Sequence, residues 1–241
     1  GSLKGKTMQQ QGDVVELKSI GIPMSIMEQY QKVTLAADIM TVNKIQFMMS
    51  ISWHIKFGTG ESLSNVKVPT LSGCMKCIHQ LYMQRGFRVT EVLMDGQFEP
   101  LHGDLAELGI YLNVVSANEH VPEIEHFIRT VKECARAIYN VLPFQPILAL
   151  MIIEMVSSCL LWLNNFPPGG GGGVSKELSP RAIVVGATLD YHKHCHLEFG
   201  EYIQTHEEHD NSMHSRTTSA IALRPTGNVQ GGYYIMSLMN G

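Results

Sequence analysis

Residues 87–143 leave this chain few ways to fold. In FRVTEVLMDGQF, residues 87–98, Arg88, Thr90 and Val92 alternate with Val89, Glu91 and Leu93, the two-residue period of a strand. The strand ends at Met94-Asp95-Gly96, a carboxylate with a turn residue behind it. A short apolar run comes next, GIYLNVVS, residues 109–116, and then VPEIEHFIRTVKECARAIYNVLP, residues 121–143. There Val121, Ile124, Ile128, Val131, Ala135, Ile138 and Leu142 hold a helical spacing. Strands joined to a long amphipathic helix require a sheet with a helix laid against it, so the expected class is α/β. Asp95 falls at a strand tip and Glu125 in the first turns of the helix. Asp38 lies upstream in another strand-like run. Acidic groups carried on separate elements can converge on one divalent-cation site, an arrangement suited to phosphoryl transfer.

The rest of the chain extends this pattern. Residues 1–31 are polar and weakly periodic and read as a connecting arm. VTLAADIM (33–40) reads as a buried strand ending near Asp38, IQFMMSISW (45–53) as a second after a turn at Val42-Asn43-Lys44, and IKFGTGESL (55–63) as a third. Their close spacing predicts an antiparallel meander. Pro69 opens a predicted helix that Gly86 stops, and the strand, helix and next strand then form a parallel crossover unit. Phe98 to Leu108 reads as a short helix over the sheet. ILALMIIEMVSSCLLWL, residues 147–163, is strongly apolar but holds Glu154 at its middle. It reads as a buried helix rather than a membrane span. PPGGGGG (167–173) is the clearest linker. Beyond it AIVVGATLDY, HLEFGEYIQTHE, SAIALRP and GGYYIMSL read as short strands of a small all-β unit. The expected division is an arm at 1–31, an α/β core at 32–166, a Gly-rich linker at 167–177 and a small β domain at 178–241.

The formal net charge of −4 over 241 residues counts mildly against a nucleic-acid binder, though a local stripe exists. Glu125, Arg129, Lys132 and Arg136 fall on one helix face, placing an acid at one end of a basic row. Five cysteines, and no run at the start that reads as a signal peptide, point to a reducing interior.

Several of these stretches resemble copia-type LTR retrotransposon integrases. Glu125-x-x-x-Arg129-Thr130-x-x-Glu133-x-Ala135-Arg136 is similar to the helix bearing that family's last catalytic acid, and LLWLNNFPP to the end of its next helix. LSPRAIVVG, LDYHKHCHLEFGEYIQTHE and IALRPTGNVQGGYYIMSLMNG resemble its small SH3-like unit. The resemblance covers most of residues 33–241. It implies an RNase H-like core, a mixed sheet flanked by helices, with the acidic triad Asp38, Asp95 and Glu125 as catalytic and metal-binding residues. It also implies two Mg²⁺ or Mn²⁺ ions, Arg129, Lys132 and Arg136 on DNA, homo-oligomeric assembly on element ends and target DNA, and work in the nucleus. No membrane partner is implied. The interval from Asp95 to Glu125 is somewhat shorter than the family's, and Gly96-Gln97-Phe98 departs from its usual residues. Glu123 and Glu119 compete for the third acid, and Glu125 is preferred because its register also aligns Arg129, Glu133 and Arg136. The family's N-terminal zinc module is absent, and LKGK resembles the segment just C-terminal to that module, so the expectation is a polyprotein fragment.

Two other constellations invite metal. Cys74-x-x-Cys77 lies inside a predicted helix with no second pair, which favours a core or interface role. His192, His194 and His196 would share one face of a strand, with Cys195 opposite and His206 and His209 beyond, a rival zinc site. The bland readings are a strand-end polar residue for Asp38, a turn residue for Asp95, and for Glu125 a solvated position favoured by the helix dipole. Two non-catalytic readings stand beside the enzyme: a nucleic-acid-binding relic of such an element, and a scaffold domain on the same fold.

Overall fold

A computed structural model describes residues 19–115, 121–169, 172–206 and 215–239. By internal contacts the described chain forms two units, one of residues 19–137 and 159–188, the other of residues 138–158 and 189–239.

The first unit begins with α1 (Met24–Tyr30), inside what the sequence reads as a connecting arm, and continues through β1 (Lys32–Val42), β2 (Ile45–Ser52) and β3 (Gly58–Leu63). These three strands form the expected antiparallel meander. Val42 pairs with Ile45 across a two-residue turn whose Asn43 and Lys44 both have positive φ, 46° and 69°, the backbone a tight hairpin demands. α2 (Val68–Met83) carries Leu71, Met75, Ile78 and Tyr82 into the core. β4 (Arg88–Asp95) comes next, then a 3₁₀ turn (Gly96–Leu101), α3 (His102–Glu107) and β5 (Tyr111–Val115). The strand order is β3-β2-β1-β4-β5, with β4 and β5 parallel to β1 and β2 antiparallel to it. This is a five-stranded mixed sheet, as the α/β class requires. The crossover departs from expectation in one respect: β4 lies beside β1 rather than beside β3. β1 is the central strand, and its free edge accepts β4 only because β2 and β3 have turned away to the other side.

One sheet face is sealed by Met75, Tyr82, Phe98, Leu101 and Leu105 packed over Leu35, Met48, Val92 and Met94. Two further helices follow, α4 (Pro122–Val141) and α5 (Ala149–Leu163), and the opposite face receives their parts within this unit, residues 122–137 and 159–163. β3 makes room for them with two glycines. A Cβ at Gly58 would lie 2.0 Å from Phe127 of α4, and one at Gly60 would lie 2.7 Å from Leu160 of α5. Asn164, just beyond α5, closes the contact. Its Nδ2 donates to the Gly58 carbonyl at 2.7 Å and its Oδ1 accepts from the Gly58 N–H at 2.8 Å, as a neighbouring strand would. The apolar 147–163 run is thus a buried-faced helix, and among the described residues no helix is long and apolar enough to cross a membrane.

The second unit contains α7 (Tyr191–His194) and an antiparallel sheet, β6 (Tyr202–His206), β7 (Thr217–Pro225) and β8 (Tyr233–Ser237), in that order. Met151, Ile221, Leu223 and Met236 make its core, with Phe144, Ile147 and Phe199 against them. Two stretches read as strands are helical. Pro180–Val184 forms α6, because Ser179 accepts the Ala182 N–H at 3.2 Å and Pro180 starts the turn. Tyr191–His194 forms α7, capped by Asp190, which accepts the His192 N–H at 2.9 Å. Short apolar runs do not distinguish strand from helix, and the caps decide.

Candidate active site on the mixed sheet

Asp38 lies within β1, which continues to Val42 rather than ending near it. Alternation along the strand sets Thr34, Ala36 and Asp38 on one face. Asp38 pairs with Met49 of β2, which in turn pairs with Gly60, so this is the face beneath α4 and α5. Asp95 is the last residue of β4 and is exposed. Glu125 stands exposed in the first turn of α4.

Electrostatics connects the three. The Asp38 carboxyl is half-buried, and its pKa is raised above the usual carboxylate value, chiefly by burial. The Ile39 N–H, donating to Oδ1 at 2.7 Å, lowers it. The charges of Asp95 and Glu125 both raise it further, and Lys132 lowers it. The charges of two carboxylates from other elements thus act on Asp38 in the same direction as its burial. Among the described residues, however, no group of three His, Cys, Asp or Glu side chains stands ready to hold a metal ion.

The competing acids fare differently. Glu123 is ion-paired with Lys56, a residue held at φ 62° in the turn before β3. Glu119 lies outside the described residues. The basic row of α4 divides: Arg129 and Arg136 are exposed, whereas Lys132 is half-buried and acts on Asp38. Lys132 is seven residues beyond Glu125, two helical turns along the same face, so its spacing carried that information. Nothing in the sequence pointed to Lys56.

The histidine constellation does not have its predicted form. His192 and His194 sit on the short α7 and His196 just after it, rather than along a strand, while His206 ends β6. His194 is buried, with Nδ1 2.8 Å from the Asp190 carbonyl and Nε2 2.7 Å from the Asn228 carbonyl. His192, Cys195 and His196 are exposed, and His209 lies outside the described residues. Cys74 and Cys77 both sit on α2, where burial raises the Cys74 thiol pKa and the charge of Glu61 adds to it.

Two details of this face were hidden in the sequence. Glu91 of β4 accepts hydrogen bonds from Asn113 Nδ2 of β5 at 3.0 Å and from Thr34 Oγ1 of β1 at 3.5 Å. The β1–β4 ladder also shifts register between Val33 and Thr34. Val89, Val92 and Met94 are the buried residues of β4, so the strict alternation read from 88 to 93 is broken by one extra residue, Thr90.

No protein-family model matches the chain, and none of the curated proteins does. Among solved structures the chain is similar to the catalytic core domain of BIV integrase, over 63% of this chain and 93% of that one, at 16% sequence identity and a TM-score of 0.46. At that identity and score the likeness assigns neither residues nor activity.

Proposed function

We propose that this chain is a copia-type retrotransposon integrase core, part of a polyprotein, that joins element DNA ends to target DNA by metal-dependent polynucleotidyl transfer. The observation that carries this reading is the placement of Asp38 on β1, Asp95 at the end of the adjacent β4 and Glu125 in the first turn of α4, with the charges of Asp95 and Glu125 acting on Asp38. Three carboxylates brought to one site would offer the hard oxygen donors that Mg²⁺ or Mn²⁺ takes. Asp38, Asp95 and Glu125 would hold the two ions, which when bound would activate the attacking hydroxyl and stabilise the in-line displacement. The exposed Asp95 and Glu125 leave the site open to a DNA strand. Arg129, Lys132 and Arg136 would hold backbone phosphates along α4 and orient that strand. Homo-oligomeric assembly on DNA, work in the nucleus and an SH3-like fold for residues 178–241 belong to the same proposal.

The test offers the protein a DNA end with a free 3′-hydroxyl, target DNA and Mn²⁺. Asp95→Asn should lower joining on the order of 10²–10³-fold, as loss of a charge-stabilising group does. It should leave DNA affinity within about threefold, because affinity comes from cationic contacts with phosphates. Equal joining by both proteins would defeat the catalytic reading. A second reading, a nucleic-acid-binding relic, draws on the absence of a ready metal-binding group among the described residues. It is favoured if DNA binds and Mn²⁺ does not. The proposal keeps the linker at residues 167–177. Limited proteolysis should cut there first and leave two resistant pieces, whereas a first cut near residue 188 would move the boundary.

A further inference from the structure

β1 and β4 begin in one register and finish in another. Lys32 pairs with Arg88 and Val33 with Val89, but Thr34 pairs with Glu91, Leu35 with Val92 and Ala36 with Leu93. Thr90 is the residue left over, a β-bulge. The ladder ends at Ala36↔Leu93; carried two residues further, the second register would set Asp38 level with Asp95. The first register would set Asp38 level with Met94, which is fully buried on the other face. A one-residue slip exchanges faces, so the bulge decides whether the two carboxylates are neighbours at all.

Glu91 is the first residue after the shift, and it is tied on both sides. Asn113 of β5 and Thr34 of β1 both donate to its carboxylate, so one half-buried side chain fastens three strands. Alternation after the bulge puts Glu91, Leu93 and Asp95 on one face of β4, and the fastening therefore lies on the face that carries Asp38. Val89 below the bulge and Val92 above it are both buried, so sliding the strand back would expose one valine and bury a polar side chain.

We propose that Glu91 is a positioning residue: held by Asn113 and Thr34, it locks the Thr90 bulge and so sets Asp38 beside Asp95. The functional meaning rests on the reading of those two acids as cation ligands, but the geometry can be tested without it. Neighbouring strands lie about 4.8 Å apart, within the Cα separation a disulfide spans. In the full chain, D38C/D95C and D38C/M94C are oxidised and the links identified by peptide mass. The 38–95 link should form roughly tenfold faster than the 38–94 link, whose side chains point to opposite faces. Adding Glu91→Ala should slow the 38–95 link roughly fivefold, and Asn113→Ala should act in the same direction. Glu91→Gln, which can still contact both Asn113 and Thr34, should restore it to within about twofold. A 38–95 link unaffected by both alanine changes overturns the role of Glu91, and a 38–94 link as fast as the 38–95 link overturns the register. Asn113→Ala keeps the test open should Glu91→Ala not fold. With the native acids, Glu91→Ala should weaken Mn²⁺ binding roughly fivefold while Glu91→Gln spares it. If the links behave as expected and the unsubstituted protein binds no Mn²⁺, the catalytic reading fails and the positioning stands.

Discussion

Asp38 and Glu154 are both half-buried carboxylates, and their surroundings treat them oppositely. Glu154, in the apolar helix α5, lies 2.6 Å from Arg224 Nε of β7, and the Arg224 guanidinium stacks over the Tyr234 ring at 4.3 Å. Its charge is answered within its own unit. Asp38 in β1 is answered by one N–H and a lysine, and opposed by two further acids. A charge withdrawn from water needs a partner. Where the fold supplies one, the residue is explained by structure. Where it supplies more of the same sign, the balance must come from outside, as a proton or a cation. That difference, more than any motif, separates the candidate active site from a structural ion pair.

The strongest way to break the comparison is to put Glu154 in the position of Asp38. Arg224→Met leaves a buried carboxylate without its counter-charge and should cost about 3 kcal/mol in denaturant unfolding of the second unit. Adding Glu154→Met should recover most of that, since an apolar pair of similar volume replaces a buried ion pair at little cost. A loss below about 0.5 kcal/mol for Arg224→Met would rank the pair with surface ion pairs and remove the contrast.

The sequence made one half of this contrast legible. Long periodic stretches were readable: the meander, α2, the amphipathic α4 and the buried α5 all come from hydrophobic spacing, which reports burial directly. Glu154 also stood out as the single charge in an apolar run. Its partner did not, because Arg224 lies in a distant strand and no local pattern pairs the two. Asp38 was readable as a candidate but not as a mid-strand residue. β4 was readable as a strand but not as a bulged one, because an inserted residue changes face without changing composition. The errors cluster in residues 180–196, where short helices are fixed by Ser179 and Asp190 caps and their apolar runs are too brief to show a period. Glu125 was preferred over Glu123 by its alignment with Arg129, Glu133 and Arg136. The ion pair of Glu123 with Lys56 is a contact no sequence pattern contained.

A smaller effect sharpens the Asp38 side. Arg129 is exposed, while Lys132 is half-buried and lowers the pKa of Asp38, so the two should separate. Arg129→Ala should weaken DNA binding and reduce the slope of log K against log salt by about 0.9, one phosphate contact. Lys132→Ala should do the same and also raise the Asp38 pKa further, visible in carboxyl NMR titration of the DNA-free protein. If Lys132→Ala leaves the Asp38 titration unmoved, Lys132 belongs with the exposed cations, and Asp38 is even less balanced than Glu154.

The finest test concerns Asp38 alone, and its sign is opposite to that for Arg224. The folded pKa of Asp38 lies above the ordinary 3.8, from burial first and then from Asp95 and Glu125. The folded state therefore holds its proton more tightly than the unfolded chain does. Stability falls as pH rises from 3.8 through the raised value, and above that value the whole penalty of the ionised form is present. Asp38→Asn removes the ionisation while keeping the shape. The variant should melt above the parent protein at about pH 7, and the gap should close as pH falls through the raised pKa toward 3.8. Saturating Mn²⁺ should narrow or reverse the gap near neutral pH, because a cation that binds only the folded parent stabilises it by mass action. A variant that melts below the parent near neutral pH without metal would mean that Asp38 is satisfied where it stands, as Glu154 is, and that its acidic neighbours impose no cost for a cation to relieve.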